Sequence, residues 1–132
     1  MFKPTADVKE VGGWIVDVVK NAGADACPPF VVGVGLGGNF ELACLLSKKA
    51  LLRPLTEHHG DTFYAALETE LLTKINYLGI GPQGLGGRST SFRVHVEVAA
   101  THITMNPVAV NIQCHSARRA NAVITPGGID FK

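Results

Sequence analysis

The feature that most constrains the fold is a short apolar run that leads through a glycine-rich turn into a second apolar stretch. The run is Phe30-Val31-Val32-Gly33-Val34, and its length and branched side chains predict a buried strand. The turn continues to Gly38. Residues 39–52 then predict a heavily buried helix, which must end at or before Pro54. Its apolar residues are Phe40, Leu42, Ala43, Leu45, Leu46 and Leu51.

Periodicity predicts the remaining elements of the fold. Two further helices are indicated at 7–22 and 62–78, with Asp7 and Asp61 as N-terminal caps and Gly23 and Gly79 as stops. Alternating apolar residues predict a half-exposed strand over 92–98, and shorter strands are expected at 107–114 and 122–125. Together they predict an α+β fold, a small mixed β-sheet packed against three α-helices, in a single domain over residues 1–132.

Composition excludes several classes of partner. The chain of 132 residues is 46% hydrophobic, enough for a buried core, and carries a formal charge of +1. No basic cluster is large enough to predict nucleic-acid binding. We also expect no membrane partner, because the N-terminus lacks a signal-peptide core and no apolar run approaches the roughly 18 residues of a transmembrane helix. These features predict a soluble, cytoplasmic protein.

Three cysteines, Cys27, Cys44 and Cys114, are irregularly spaced and do not suit a disulfide framework. They are therefore free thiols or metal ligands. Cys27 precedes two prolines, a rigid setting that suits a thiolate ligand and equally a stiff strand entry. Cys114 ends an apolar strand, where it is either a ligand or a small buried hydrophobe. Cys44 falls within the buried helix and is expected to be core.

Two glycine-rich segments have functional and structural interpretations. Gly33–Gly38 contains the G-x-G-x-x-G pattern of dinucleotide-binding turns, but the expected acidic residue at the end of a second strand is not evident. A tight structural turn, or a helix N-terminus that cradles an anion, is the favoured interpretation. Gly81–Gly87 holds four glycines, a proline and Gln83. It is either a surface turn or a loop that brings backbone amides to a ligand.

Several polar residues are candidates for contact with a substrate. His102 lies between two predicted strands, where its imidazole is either a substrate contact or a solvated side chain. His58 and His59 are adjacent and are interpreted as loop residues rather than metal ligands. Arg118 and Arg119 have two interpretations, a clamp for a dicarboxylate or a solvated face.

Longer motifs resemble the class I fumarate hydratase and L(+)-tartrate dehydratase family in its two-subunit form. The most specific are Ile80-Gly-Pro-Gln-Gly-Leu-Gly-Gly87 and Pro107-Val-Ala-Val-Asn-Ile-Gln-Cys114. Cys27-Pro-Pro29, Val32–Gly38 and Glu70–Gly79 follow the family's order and approximate spacing. The resemblance covers nearly the whole chain, which is similar to the C-terminal portion of the alpha subunit.

The resemblance implies an iron–sulfur hydro-lyase. That family holds a 4Fe-4S cluster with three cysteines, leaving one iron open as a Lewis acid. Cys27 matches the second cluster cysteine, Cys114 matches the third, and Cys44 matches neither. His102 matches a histidine near the substrate. The sulfurs of Cys27 and Cys114 should then lie within about 7 to 10 Å of each other. The loop Gly81–Gly87 should approach the same pocket.

The family's preceding segment, with its first cluster cysteine, and its beta subunit are not in this sequence. We therefore expect the isolated chain to hold no intact cluster and to be inactive without these partners, and we expect a homo-oligomer. The first functional hypothesis is reversible hydration of fumarate to L-malate, a reaction of the tricarboxylic acid cycle. The alternatives are an L-tartrate dehydratase subunit and a non-catalytic fragment or assembly module of the same fold.

Overall fold

A computed structural model describes residues 1–114 and 122–131. Helix α1 covers Val8–Ala22, α2 Phe40–Ala50 and α3 Thr62–Tyr77. The strands are β1 Phe30–Gly37, β2 Ser91–Ala99, β3 Val108–Gln113, β4 Ala122–Thr125 and β5 Gly128–Phe131. Short 3-10 helices occupy Gly23–Ala26 and Pro82–Gly84. The α+β prediction is confirmed, and β5 is an addition to the predicted strands.

The central sheet is mixed, with the strand order β2-β1-β3. Strand β2 runs parallel to β1 from the Phe30–Ser91 pair onwards. Strand β3 runs antiparallel to β1, with Val31 opposite Gln113 and Leu36 opposite Val108. The start of β1, the start of β2 and the end of β3 therefore meet at one end of the sheet. Strands β4 and β5 form a separate antiparallel pair.

The sheet separates two layers of helix. Branched residues of all three strands form one core with α1 and α3; the fully buried members include Ile15, Val19, Val32, Val34, Leu71, Ile75, Val94 and Val96. Helix α2 covers the opposite face of the sheet. There Gly33 and Gly35 let it approach so closely that a Cβ on either residue would overlap a backbone carbonyl of α2. The G-x-G-x-x-G pattern thus has a structural role in packing helix against strand.

Local signals in the sequence define the helix ends. The Asp7 side chain accepts a hydrogen bond from the Glu10 amide, and the Asp61 side chain accepts one from the Phe63 amide. Both predicted caps are therefore confirmed. The predicted pair on α3 is also present, with 2.6 Å between Lys74 Nζ and Glu70 Oε1. These contacts form within one helical turn and need no tertiary structure.

Some predictions of burial are wrong. Phe40 and Leu45 on α2 are 63% and 62% exposed, and Phe63 on α3 is 54% exposed. Cys44 is only half-buried rather than a core residue. The reason is that α2 contacts the sheet with a narrow face, formed by Ala43, Leu46, Ser47 and Ala50. In the described part of the chain, no helix is both long enough and apolar enough to cross a bilayer.

Candidate functional site

Cys27 lies at the sheet end where β1 begins. It follows the 3-10 helix Gly23–Ala26 and has a left-handed backbone conformation, with φ of 53° and ψ of 64°. A non-glycine residue rarely adopts that conformation, and one that does is strained by about 1–3 kcal/mol. The side chain is exposed, and its sulfur lies 3.9 Å from the Asp25 carbonyl oxygen. The fold thus presents an accessible thiol on a strained turn.

Cys114 directly follows β3 and is half-buried. Gln113, the last residue of β3, pairs with Val31, the second residue of β1. Both cysteines therefore lie within a few residues of one strand pair at the same end of the sheet, although they are far apart in sequence. The distance between their sulfurs stays a prediction.

The glycine-rich loop is fastened to the segment that carries Cys27. The backbone amide of Gln83 donates to the Pro28 carbonyl oxygen at 2.9 Å. Gly84 packs against Ala24, and a Cβ at Gly84 would overlap the Ala24 side chain. Gln83 has a positive φ of 56°, like Cys27. Two neighbouring non-glycine residues in this conformation are typical of a functional site.

Asn76, near the end of α3, holds the entry to β2 against this loop. Its side-chain oxygen accepts hydrogen bonds from the amides of Thr90 and Ser91, each at 2.9 Å. The buried Thr90 hydroxyl accepts from the Gly81 amide at 3.2 Å. The Ser91 hydroxyl donates to the Phe30 carbonyl oxygen at 2.9 Å. This network fastens the glycine-rich loop and the start of β1 to α3 and β2. It was not predicted from the sequence.

A cleft of about 550 Å³ opens beside the same loop. Its lining comes from the end of α3 and from both ends of the glycine-rich segment; the residues are Leu72, Thr73, Asn76, Tyr77, Gly79, Gly87 and Arg88. Arg88 is exposed and brings a positive charge to the cleft. The cleft therefore offers an arginine and an asparagine side chain beside the loop that contacts the Cys27 segment.

His102 lies at the other end of the sheet. The loop between β2 and β3 crosses the end of β1, where the Thr101 hydroxyl donates to the Gly38 carbonyl oxygen at 2.8 Å. From Val31 to Gly37, β1 advances by roughly 20 Å. His102 is exposed and its Nδ1 lies 2.8 Å from the Thr104 hydroxyl. Within one chain, His102 is therefore not beside Cys27 and Cys114.

His58 and His59 have structural partners. The Nε2 atom of His58 lies 3.2 Å from an Arg93 Nη2, and His59 Nδ1 accepts from the Asp61 amide at 2.9 Å. This agrees with their interpretation as loop residues. Arg118 and Arg119 lie outside the described residues.

A buried polar cluster at β2 was not anticipated from the sequence. His95, expected on the half-exposed face of that strand, is fully buried, because α2 and the chain after it cover this face. Burial, and next the charge of Arg53, lower the pKa of His95 from 6.5 to about 4. Neither ring nitrogen has a hydrogen-bond partner in the described structure. Arg53, Glu68 and His95 form this cluster. The sequence feature that could have indicated it is Glu68, a charged residue on the same face of α3 as the apolar Leu71 and Ile75.

In the described part of the chain, the cysteine end offers two thiol groups and no complete metal site. Among residues 1–114 and 122–131, no group of three histidine, cysteine or acidic side chains is arranged to hold a metal ion. Cys27 and Cys114 are the two thiols near this end of the sheet, and their role as cluster ligands stays a prediction.

The chain is similar to proteins with a known family assignment. The family model described as fumarate hydratase (Fumerase) matches residues 1–123. A putative L(+)-tartrate dehydratase subunit alpha of Methanocaldococcus jannaschii is 47% identical over 120 residues, covering 91% of this chain and 42% of the relative. L(+)-tartrate dehydratase subunit alpha of Escherichia coli K12 is 39% identical over 124 residues, covering 94% and 41% respectively. The chain thus spans about two-fifths of the length of these curated relatives.

Proposed function

Because the chain belongs to the fumarate hydratase family, we propose that it is part of an iron–sulfur hydro-lyase that reversibly adds water to a dicarboxylate double bond. Hydration of fumarate to L-malate is the first candidate reaction. The observation that supports a site here is the strand register, which gathers Cys27, Cys114 and the Gly81–Gly87 loop at one end of the sheet. Strand ends are rigid bases for functional side chains.

Cys27 and Cys114 would supply two of three thiolates to a 4Fe-4S cluster, whose open iron acts as a Lewis acid when the cluster is bound. The exposed thiol of Cys27 is accessible for ligation. Its left-handed backbone gives the side chain a direction that an ordinary strand entry would not. Binding of iron by a thiolate held in this direction would offset the backbone strain at Cys27.

The glycine-rich loop would serve as a backbone surface for the substrate. Gly81, Gly84, Gly86 and Gly87 all have positive φ, so the chain turns tightly and exposes peptide groups without side chains in the way. The loop is held in place by the Gln83 to Pro28 hydrogen bond and by Thr90. Arg88, at the adjacent cleft, would attract a carboxylate.

L(+)-tartrate is the second candidate substrate, because the relatives from Methanocaldococcus jannaschii and Escherichia coli are named as L(+)-tartrate dehydratase alpha subunits. Both reactions need carboxylate clamps and acid–base groups. A beta-type partner subunit and a further alpha-subunit segment with the third cysteine belong to this proposal, as does a cytoplasmic location. Without them we expect neither a stable cluster nor turnover.

The test is anaerobic reconstitution of the complete complex with iron and sulfide, followed by assays of fumarate hydration and tartrate dehydration. Cys27→Ser and Cys114→Ser should each lose cluster absorbance and activity, whereas Cys44→Ser, the matched control, should keep both. Equal loss in all three variants, or full activity in the first two, would contradict the ligand assignment. A stoichiometric, active cluster on the isolated chain would contradict the requirement for partners.

A further inference from the structure

The segment that carries Cys27 has few backbone donors with which to hold its position. Residues 27–30, the cysteine segment, contain Pro28 and Pro29, which have no N–H group. The Cys27 amide bonds locally, to the Ala24 carbonyl oxygen at 3.0 Å. The place of the cysteine segment at the sheet end therefore depends on its carbonyl oxygens and on its one remaining amide.

Hydrogen bonds join the cysteine segment to the glycine-rich loop and to the start of β2. The Gln83 amide donates to the Pro28 carbonyl oxygen at 2.9 Å. The Phe30 amide donates to the Thr90 carbonyl oxygen at 3.3 Å. The Ser91 hydroxyl donates to the Phe30 carbonyl oxygen at 2.9 Å. The cysteine segment is thus held on both sides of its second proline.

One side chain of α3 holds the residues to which the cysteine segment is bound. Asn76 Oδ1 accepts from the amides of Thr90 and Ser91, each at 2.9 Å, and Asn76 Nδ2 donates to the Ser91 carbonyl oxygen at 3.3 Å. Thr90 is fully buried and Ser91 nearly so. Because a buried amide without an acceptor is unfavourable, Asn76 determines where these two residues lie.

Asn76 is connected to the cysteine segment by two routes. In the first, the start of β2, which Asn76 holds, bonds directly to Phe30. In the second, the Thr90 hydroxyl accepts from the Gly81 amide at 3.2 Å, and the glycine-rich loop continues to Gln83, which donates to the cysteine segment. Both routes begin at the same side chain, so a change there displaces the strand entry and the loop together.

We propose that Asn76 is a positioning residue, which sets the Cys27 thiol and the Gly81–Gly87 loop relative to each other. This inference rests on the proposed function, in which Cys27 ligates a cluster and the loop faces the substrate. Asn76 acts through the start of β2, because its side-chain oxygen and nitrogen both bond there. The base of this side chain is rigid, since the preceding residue, Ile75, is fully buried in the core.

Residue-level hydrogen exchange on the chain tests this role without a cluster. In Asn76→Ala, the Gln83 and Phe30 amides should exchange at least about tenfold faster than in the wild type, because their hydrogen bonds open more often. The Val96 amide, which donates to Glu68, is the internal control, and its exchange should change by less than about threefold. Unchanged exchange at Gln83 and Phe30 would overturn the proposal. Equal acceleration at Val96 would overturn it too, because it indicates a general loss of stability.

A matched pair of variants at Thr90 tests the route through the loop, and it decides the question if Asn76→Ala does not fold. Thr90→Val replaces the hydroxyl group that accepts from the Gly81 amide by a methyl group of similar size, whereas Thr90→Ser keeps that hydroxyl. Exchange of the Gln83 amide should be at least about tenfold faster in Thr90→Val and near the wild-type rate in Thr90→Ser. Equal exchange of Gln83 in the two variants would refute the connection from Asn76 to the loop.

In the complete hydro-lyase, the measured quantities are kcat per bound cluster and the rate of anaerobic iron release to a chelator. Asn76→Ala should lower kcat per cluster and raise the release rate by about 10–100-fold each, the usual effect of losing a group that orients a metal ligand. Asn76→Asp keeps an oxygen that accepts from both amides, so its iron release should stay within about threefold of the wild-type rate. Glu70→Ala, on the exposed side of α3, is the control and should change neither quantity.

The outcomes separate the positioning role from the proposed function. Normal iron release and normal kcat per cluster in Asn76→Ala would refute the positioning role while leaving the hydro-lyase function standing. Iron release as fast in Asn76→Asp as in Asn76→Ala would refute the two amides as the link. A wild-type complex without cluster or turnover would instead contradict the proposed function, and hydrogen exchange on the chain would still decide whether Asn76 holds the cysteine segment.

Discussion

Acidification should destabilise the protein through His95. This side chain is fully buried, with Arg53 and Arg93 among the groups that lower its pKa and Glu68 and Glu97 opposing them. The net effect lowers its pKa from 6.5 to about 4. In the unfolded chain His95 takes up a proton as the pH falls through about 6.5, whereas in the folded chain it resists until about pH 4. The contribution of His95 to stability is therefore present above pH 6.5 and is lost as the pH falls to about 4.

The size of the effect follows from the two pKa values. Between pH 7 and pH 4.5, proton linkage at one such group lowers the free energy of unfolding by about 2.4 kcal/mol. That is a large share of the stability of a small domain, which is typically about 5–15 kcal/mol. Below pH 4 the contribution of His95 should level off, because both states are then protonated.

Urea unfolding followed by circular dichroism at several pH values measures this dependence. The control is His95→Leu, which removes the titrating group, so the difference in pH dependence between the two proteins isolates His95. We expect the wild type to lose about 2.4 kcal/mol more than the variant between pH 7 and pH 4.5. Parallel pH profiles for the two proteins would refute the reasoning, as would an NMR titration that finds folded His95 protonated near pH 6.5.

Three further substitutions test the packing and the strain described above. Glu68→Ala should lower the free energy of unfolding by about 3–5 kcal/mol, because it removes the buried carboxylate that pairs with Arg53 and accepts from the Val96 amide. Glu70→Ala on the exposed side of α3 should change the free energy of unfolding by less than about 0.5 kcal/mol in the same urea assay. Cys27→Gly should be more stable than Cys27→Ala by about 1 kcal/mol, since glycine relieves the left-handed strain; the opposite order in thermal melts would argue against that strain. Gly35→Ala should lower the free energy of unfolding by about 1–3 kcal/mol, because the added Cβ would overlap α2. Gly13→Ala, which has open space around it, should raise the free energy of unfolding by about 0.5–1 kcal/mol. Equal unfolding midpoints for the two variants would contradict the close approach of helix and sheet.

The sequence predicts those parts of the fold that depend on neighbouring residues. The caps Asp7 and Asp61 and the pair Glu70–Lys74 are confirmed because each forms within a turn of its own helix. Burial is harder to predict, since it depends on which elements cover a given face. His95 alternates with apolar residues as an exposed residue would, yet α2 and the following chain cover it. Leu45 looks like a core residue, yet α2 turns it to solvent.

The arrangement of the candidate site depends on strand order and register, which no local pattern determines. Cys27 and Cys114 could be proposed as ligands from the family motifs, but their common position at one sheet end follows only from the pairing of Val31 with Gln113. The role of Asn76 could not be predicted from the sequence either, because its side chain on α3 binds the amides of Thr90 and Ser91 at the start of β2.

Two of these residues that are close in the sequence lie far apart in the structure, and two that are distant in the sequence lie at the same end of the sheet. The direction of β3 explains this difference. His102 and Cys114 are twelve positions apart, but most of those positions belong to an extended strand that carries the chain from one end of the sheet to the other. Cys27 and Cys114 lie 87 positions apart and yet flank the same strand pair. A substrate held at the cysteine end is therefore out of reach of His102 in its own chain.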